Sequence, residues 1–499
     1  MYNMRVGGLA TGMDIDQIVQ DMMRIERQPL DRIFQQRQEL QWKQEDYRSL
    51  NNQMARLRSS ALSLRLQGTF NSKIATSSNE NIVTVSARGN ASAGTYDISV
   101  SQLAGAAHLT SSGGIGIEDS TAPLSEQGLD NVEGKYRFTI NEVEIEFDAD
   151  KENIQGLVNK INRAVDDEGN SIGVRAAYDS DLDRFFLSTT GTGTDAEITI
   201  KPEGDGGDAL WEALKFEVGD GGVITAQGRN AKFTLNGAEL EKSTNEFTIN
   251  DLNFNLKGVS PSDAGGVSVV VRNDEEGVFQ LINDFVELYN ETITLANGKM
   301  LEKYHRDYPP LTDEMRGEMS DSQVEKWEEK ARSGMLRNDP MLADILSDMR
   351  RSLSSVLDEG GLRTLASIGI TTGDYSERGI LHVDEGKLRN AISQDLEGVK
   401  DLFTKTDMGI AHRLYDSTVS GTAKITAKAG IESDFSLVDD SFIGKRIRNL
   451  DKNMGVLEDR LQRTEERLWR QFTALEMAID QMNAQSMWLT QQFSMWGGR

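Results

Sequence analysis

The sequence predicts an α+β chain with long helical coiled-coil termini, a mainly helical domain and two nested β-rich head lobes. Three observations predict it. First, an apolar seam fills Ser441 to Trp496: Ile447, Leu450, Met454, Leu457, Leu461, Thr464 and Leu468 step by three and four residues, and Phe472, Leu475, Ile479, Met482, Ser486, Leu489, Phe493 and Trp496 resume after one extra four-residue step. That is a heptad seam with a single stutter. Second, Leu30, Ile33, Leu40, Tyr47, Leu50, Met54, Leu57, Ala61 and Leu64 follow a similar rhythm near the N-terminus. Third, from Asn71 onward the apolar period switches from helical to alternating, as strands require.

Taken in order, Asp14 with Gln17 three residues on reads as a capped start for a helix over Ile15 to Arg27. Pro29 then predicts a break or kink. Arg37 and Gln44 interrupt the seam that follows, and polar residues in a seam fix register at some cost in stability. Ile74, Thr76, Ile82, Thr84, Val85, Thr95, Tyr96, Ile98 and Val100 mark short strands. The stretch Phe138 to Glu146 returns as Phe233 to Glu241, and both read as β-hairpins turning at an asparagine, the second as Asn236-Gly237. Glycine-rich punctuation at 204–207 and 219–222 separates short acidic strands. Helical character resumes at Val278 to Val286, with a capping box at Ser320 and Gln323 and a stop at Gly334. Leu342, Ile345, Leu346, Met349, Leu353 and Val356 share one face of a helix expected over Met341 to Leu357. The C-terminal seam, with Gly455 as the helix-disfavouring residue between Ile447 and Trp496, extends roughly 80 Å as one helix at 1.5 Å per residue. That is far more than a globular core requires, so the seam is expected to meet another long helix, with the N-terminal helix as a candidate.

Composition narrows the functional classes. At 499 residues with no cysteine, the chain holds several domains, no disulfide and no thiolate chemistry. Met1 to Gly8 shows no apolar stretch followed by a cleavage site, and no run of 18 apolar residues offers a bilayer span. These features fit a soluble chain, or one leaving the cell without a cleaved signal. The net charge is −26, and residues 111–280 hold 33 acidic against 14 basic side chains, a net of −19, whereas both helical ends are slightly basic. Such an acidic middle repels nucleic acid and anionic membrane, so neither is an expected partner.

Reaction chemistry has no candidate. His108, His305, His382 and His412 are isolated in sequence. Asp179, Asp181 and Asp183 imitate the start of a calcium loop, but Arg184 stands where glycine is needed and Thr190 where glutamate is. Gly191 to Thr194 lacks the lysine and hydroxyl residue of a phosphate-cradling loop. No catalytic residue, metal ligand or cofactor is expected.

Five segments in order carry a resemblance. Gly8-Leu9-Ala10-Thr11-Gly12-Met13-Asp14 comes first, followed by Ile18-Val19 and Glu26 to Leu30. Gln155 to Asn162, continued through Val174-Arg175-Ala176 to Leu187-Ser188, contains an Ile-Asn motif. Trp327 to Gly334 and Gln471 to Ser486 complete the set. Together they resemble the flagellar filament cap protein family, hook-associated protein 2, over essentially the whole chain. The resemblance implies a secreted, extracellular structural protein that forms a homo-oligomeric ring, a pentamer, at the filament tip. There it promotes insertion and polymerisation of flagellin. It also implies the flagellar export apparatus and a dedicated chaperone as partners. Gly8, Leu9, Gly12 and Asp14 are its N-terminal signature, and Leu450, Leu457, Leu461, Leu468, Phe472, Leu475, Ile479, Met482 and Leu489 are the candidate oligomer seam.

The expected organisation is nested: residues 1–40 with 441–499 as a leg, 41–70 with 273–440 as the helical domain, 71–107 with 229–272 as one β lobe, and 108–228 as a second, acidic lobe carried by the first. Flexible exits for that second lobe are expected near Ser111–Gly116 and Gly219–Gly222. Two other readings compete. A hook–filament junction protein or flagellin relative shares helical termini and the Ile-Asn motif, but lacks the Trp327 to Gly334 segment. A surface adhesin on a coiled-coil stalk, acting in cell adhesion, explains the acidic lobes but needs a signal or anchor.

Overall fold

The computed structural model describes residues 14–204, 207–219, 221–261, 265–354, 356–357, 361–431 and 439–496, with side chains as far as Phe493. Gly8, Leu9 and Gly12 lie outside the described residues. The chain divides into two compact units, Met1–Phe70 with Glu275–Arg499, and Asn71–Asp274.

The first unit begins with α1 (Ile15–Arg65), a helix of 51 residues, followed by the short α2 (Gln67–Phe70). Asp14 caps α1 by accepting the Gln17 N–H at 3.0 Å. The reciprocal half of the expected cap does not form, because the Gln17 side chain turns to Asp21 instead. Pro29 sits inside α1 and does not end it. Proline removes one main-chain hydrogen bond, but Val19 before it and Leu30 after it are both buried, so tertiary packing carries the helix across the gap.

The second unit is β-rich. Its strands are β1 (Lys73–Ser77), β2 (Val83–Ala87), β3 (Gly94–Gln102), β4 (His108–Thr110), β5 (Lys135–Ile140) and β6 (Val143–Asp148). Helix α3 (Ile154–Arg163) leads to β7 (Val174–Asp179), β8 (Arg184–Thr189) and β9 (Glu197–Glu203). Helix α4 (Gly207–Ala213) leads to β10 (Ile224–Gln227), β11 (Ala231–Leu235), β12 (Ala238–Lys242), β13 (Glu246–Ile249), β14 (Leu252–Leu256) and β15 (Val267–Asn273). One core lies between the sheets β1-β15-β3-β11-β12 and β13-β14-β2, and buries Val83, Ile98, Val100, Phe233, Phe254 and Val269. A second lies among β10-β9-β5-β6, β4-β8-β7 and the two helices, and buries Phe138, Phe147, Leu157, Phe185 and Trp211. The chain passes between the two cores at an antiparallel bridge of Gly105 with Arg229. Ser111 is buried and bonded to Phe185, so that stretch lies inside the second core and is not its exit.

The two echoed hairpins are β5–β6 and β11–β12, and each turns through positive-φ residues: Asn141-Glu142 in one, Asn236-Gly237 in the other. Each turn asparagine also makes the same lock. Asn141 donates its N–H to the Thr199 carbonyl and accepts the Thr199 N–H on its side chain. Asn236 does the same with Asp97. In the Ile-Asn motif, Ile161 is fully buried. Asn162 bridges to both backbone groups of Ala176 at 2.8 and 3.0 Å, fastening α3 to β7. The Asp179–Asp183 run is a hairpin turn: Asp179 accepts the N–H groups of Asp181 and Leu182, and Asp183 those of Gly116 and Ile117.

The chain returns to the first unit with α5 (Glu275–Leu301), α6 (Asp313–Gly317), α7 (Asp321–Arg332) and α8 (Pro340–Leu353). A two-stranded sheet, β16 (Ile370–Thr372) with β17 (Leu381–Val383), precedes α9 (Glu385–Gln394), α10 (Leu396–Thr404), α11 (Ile410–Ala429) and α12 (Phe442–Trp496). The core joins Tyr47, Leu50 and Leu57 of α1 to Phe285, Met349, Phe403 and Leu414. Gly421 on α11 allows close approach, since a Cβ there would stand 2.6 Å from Met54 and 3.0 Å from Ile345. The Ser320–Gln323 capping box forms at α7. Trp327 donates to the Pro309 carbonyl at 2.7 Å, and Gly334 takes a φ of 79° where a Cβ would strike the Tyr304 backbone. Helix α8 is shorter than expected, ending at Leu353 with Val356 exposed beyond it. The Ser352 and Ser354 hydroxyls bond to nearby carbonyls at its end, and such local bonds compete with helix continuation.

Trp211 stacks edge-on against Phe138 and Phe216 in the second β core. Replacing it with alanine is expected to cost about 3–5 kcal/mol. Hydrogen exchange should show lost protection confined to residues 107–226, with Tyr47 to Leu64 of α1 protected as in the wild type.

Candidate assembly interface

The candidate site is built on α1 and α12. Helix α12 starts where Ser441 accepts the Gly444 N–H, and Asp439 accepts the Ser441 N–H at 2.9 Å. Asp439 also receives Gln44 Nε2 at 2.6 Å and Arg48 Nη2 at 2.9 Å from α1. The same two side chains donate to the Ala429 carbonyl at the end of α11. One polar node thus ties α1 to the end of one helix and the start of the next. Gly444 is required beside it, because a Cβ would lie 2.5 Å from the Asp439 carboxyl carbon. Partial burial pushes the Asp439 carboxyl upward, but the bonds from Ser441 and Gln44 and the Arg48 charge outweigh it, leaving it below the ordinary aspartate value.

From that node α12 runs antiparallel to α1. Arg37 pairs with Asp451, and further along Ile15 and Val19 bury against Leu468, with Met23, Trp469 and Phe472 packed around them. Both polar interruptions of the N-terminal seam are therefore partnered: Arg37 by Asp451, Gln44 by Ala429 and Asp439. A cleft between the helices is lined by Met23, Arg27, Leu30, Glu458, Leu461 and Trp469.

The predicted seam residues divide along this helix. Leu450, Leu457 and Leu461 are half-buried, Leu468 is only 7% exposed, and Phe472 is half-buried. Ile479 is half-buried, whereas Leu475, Met482 and Leu489 are exposed, Met482 to 61%. The described part of α1 begins at Ile15, which packs in the same cluster as Phe472, and from Gln481 to Phe493 the side chains of α12 are exposed. Of the N-terminal signature, Asp14 is the helix cap.

On α12 the large exposed apolar residues outside the predicted seam are Met477, Met487 and Trp488, with Val456 and Phe442 nearer its start. A compositional signal marks the first three. Between Gln471 and Trp496 the only charged side chains are Glu476 and Asp480, whereas Lys445 to Arg470 is dense in charge. A helix with apolar residues on more than one side and almost no charge is normally enclosed on those sides. Elsewhere, no group of three His, Asp or Glu residues that could hold a metal ion occurs among the described residues, and none of the described helices is long and apolar enough to cross a membrane.

This arrangement defines an α+β protein whose terminal helix pairs with its first helix and then runs on past it. The family models agree on which such protein group is involved. Flagellar hook-associated protein 2 N-terminus matches residues 11–107, and Flagellar hook-associated protein 2 C-terminus matches residues 228–484. The chain belongs to the flagellar hook-associated protein 2 family. It is 31% identical to flagellar hook-associated protein 2 of Halalkalibacterium halodurans, over 98% of this chain and 100% of that protein. It is 28% identical to B-type flagellar hook-associated protein 2 of Pseudomonas aeruginosa, over 86% and 84%. The fold resembles the crystal structure of the D1-D2-D3 domains of the flagellar cap protein FliD from Escherichia coli, with a TM-score of 0.56, 22% identity, and coverage of 81% of this chain and 99% of that one. The acidic second lobe falls between the two matched ranges.

The Asp439 node predicts an acid-sensitive junction. Because its folded-state pKa is depressed, its contribution is complete above the ordinary aspartate value of about 3.9 and fades as pH falls through the folded value. Docking of α12 on α1 should be flat from pH 5 to 8 and loosen below about pH 4. Asp439→Asn should weaken it by about 1–2 kcal/mol at neutral pH and blunt that acid response. Hydrogen exchange across Leu450 to Leu468 at several pH values checks both.

Proposed function

We propose that this chain is a structural capping subunit at the distal end of a bacterial flagellar filament, and not an enzyme. Copies of it form an oligomeric ring, a pentamer, outside the cell, and the ring promotes insertion and polymerisation of exported flagellin. The observation that carries this reading is the charge-poor distal end of α12, with Leu475, Met482 and Leu489 exposed, in a chain of this family. An apolar helix of that length gains stability mainly by packing, and a ring of copies supplies such packing. Leu475, Ile479, Met482 and Leu489 form the part of the seam left for assembly, while Leu450, Leu457, Leu461, Leu468 and Phe472 serve the pairing with α1. Passage through the flagellar export apparatus suits a chain without disulfides, and a dedicated chaperone would cover the apolar end beforehand. The acidic lobe is placed outward, where salt screens repulsion between copies beyond a Debye length of about 10 Å.

Electron microscopy of the purified protein added to cap-less filaments tests the role directly: rings should be seen at filament tips, and added flagellin should extend those filaments. Replacing Leu475 and Ile479 together by aspartate introduces charge into the interface and should cost several kcal/mol of assembly energy. Both β cores should keep their unfolding transitions. Normal rings and filament growth from the double variant would remove the seam from the assembly mechanism.

A further inference from the structure

We propose that the groove between α8 and the free edge of β16 is a peptide-binding site, and that its occupant is an extended acidic segment of polypeptide, added to the small sheet as a third strand. The site lies within the helical unit and depends neither on the capping role nor on the terminal helices.

In an antiparallel pair, alternate residues turn both main-chain groups toward the partner strand, and the residues between them turn theirs away. Asp384 donates its N–H to the Gly369 carbonyl, and Gly373 donates to the Ile380 carbonyl. Thr371 stands opposite His382, midway between those bonds. Thr371 therefore faces β17, while the N–H and C=O of Ile370 and Thr372 face outward. The outer edge of β17 has the same need and meets it within the fold: Asn290 of α5 donates to the Leu381 carbonyl and accepts the Leu381 N–H, both at 2.8 Å. That edge is closed by a side chain that imitates a strand. The outer edge of β16 borders instead a groove of about 740 Å³, within the size range of ligand sites. An open edge with its main-chain groups in register is the usual seat of an added strand.

Side chains across the groove give the charge of the occupant. Among the described residues the lining holds Arg350 and Arg351 of α8 and no carboxylate, in a chain of net charge −26. Arg351 is paired with Asp348 at 2.6 Å. Arg350 uses only its Nε, on the Leu346 carbonyl at 3.2 Å, so among the described residues its two terminal nitrogens have no acceptor. Its stem is held by Gly379, which takes a φ of 97° and where a Cβ would stand 2.7 Å from Arg350 Cδ. Tyr289 is 1% exposed and lines the same groove, and its hydroxyl has no hydrogen-bond partner among the described residues. Burial pushes that phenol above its ordinary value and the Arg350 charge pulls against the rise, so the two groups are neighbours and the phenol keeps its proton. A fork of guanidinium N–H groups beside a phenol O–H is a receptor for a carboxylate. A small free anion would satisfy those donors and leave the strand edge unpaired. A strand bearing an aspartate or glutamate side chain satisfies both.

The test uses the full-length chain and two pools of acetylated pentapeptide amides, one with aspartate at the centre and one with asparagine, each with threonine or valine at the other positions. The aspartate pool should slow hydrogen exchange at the Thr372 amide on the order of tenfold, because that N–H gains a partner. The Thr371 amide, already paired with β17, should not change. The asparagine pool should need on the order of tenfold more peptide for the same effect, the difference that a charged acceptor makes. Arg350→Gln should remove that preference. Tyr289→Phe, which keeps the ring in the core, should weaken binding of the aspartate pool several-fold. In both variants the amides from Leu342 to Leu353 should exchange as in the wild type, which shows that α8 is intact. Failure of both pools to protect Thr372, equal protection by the two, or an undiminished preference in Arg350→Gln would overturn the proposal. Displacement of the aspartate pool by an equal concentration of inorganic phosphate would overturn it in favour of a small anion. Protection of Thr372 that rises with protein concentration alone would overturn it in favour of a second copy of the strand.

Discussion

Helix α1 buries two different stretches against two different partners, and the first unit depends on both. Its C-terminal half, from Tyr47 to Leu64, is the centre of the helical core. Its N-terminal part, from Ile15 to Leu30, packs instead along α12. Between them stand Gln44 and Arg48, whose bonds to Ala429 and Asp439 set where α11 stops and where α12 sets out. The position of that polar node determines the register of the long pair, because the direction and phase of α12 are decided at its first turn. Arg37 with Asp451 repeats the constraint further along. The apolar contacts supply adhesion, and the polar ones choose among the alignments that a repeating seam would otherwise allow.

Much of this was legible in the residues, for reasons that differ by element. The two terminal helices could be read because a three-four period sustained over many turns marks a helix that packs along its whole length. The hairpins could be read because asparagine and glycine tolerate the positive φ that tight turns need. Pro29 misled, since local propensity says nothing of the burial of Val19 and Leu30 on either side. The length of α8 misled for a related reason: Leu357 is buried, so its apolar character was real, but it reaches the core from outside the helix. The Asp439 node was invisible because its members come together only in the fold.

The repeated hairpins show how a sequence echo becomes a structural one. Asn141 and Asn236 do more than permit a turn; each fastens its hairpin to the next strand by a pair of bonds that imitates one rung of a sheet. The two sheets nevertheless differ in what covers them. One is backed by α3 and α4, the other by a second small sheet. Locking at the turn fixes hairpin register, and the remainder of each lobe was free to diverge around it.

The nested chain order also bears on the timing of folding. Gln44 and Asp439 are separated by 395 positions, and Tyr47 and Asp339 by 292. The partners that stabilise α1 therefore emerge last from any process that delivers the chain from its first residue. Long-range closure of this kind is slow, because loop entropy must be overcome before the contacts repay it. The β unit, whose strands lie between residues 73 and 273, has no such wait and can fold as soon as its own strands are present. The first helix made is thus among the last to be secured, and the chain remains without its longest-range contacts until its final residues arrive.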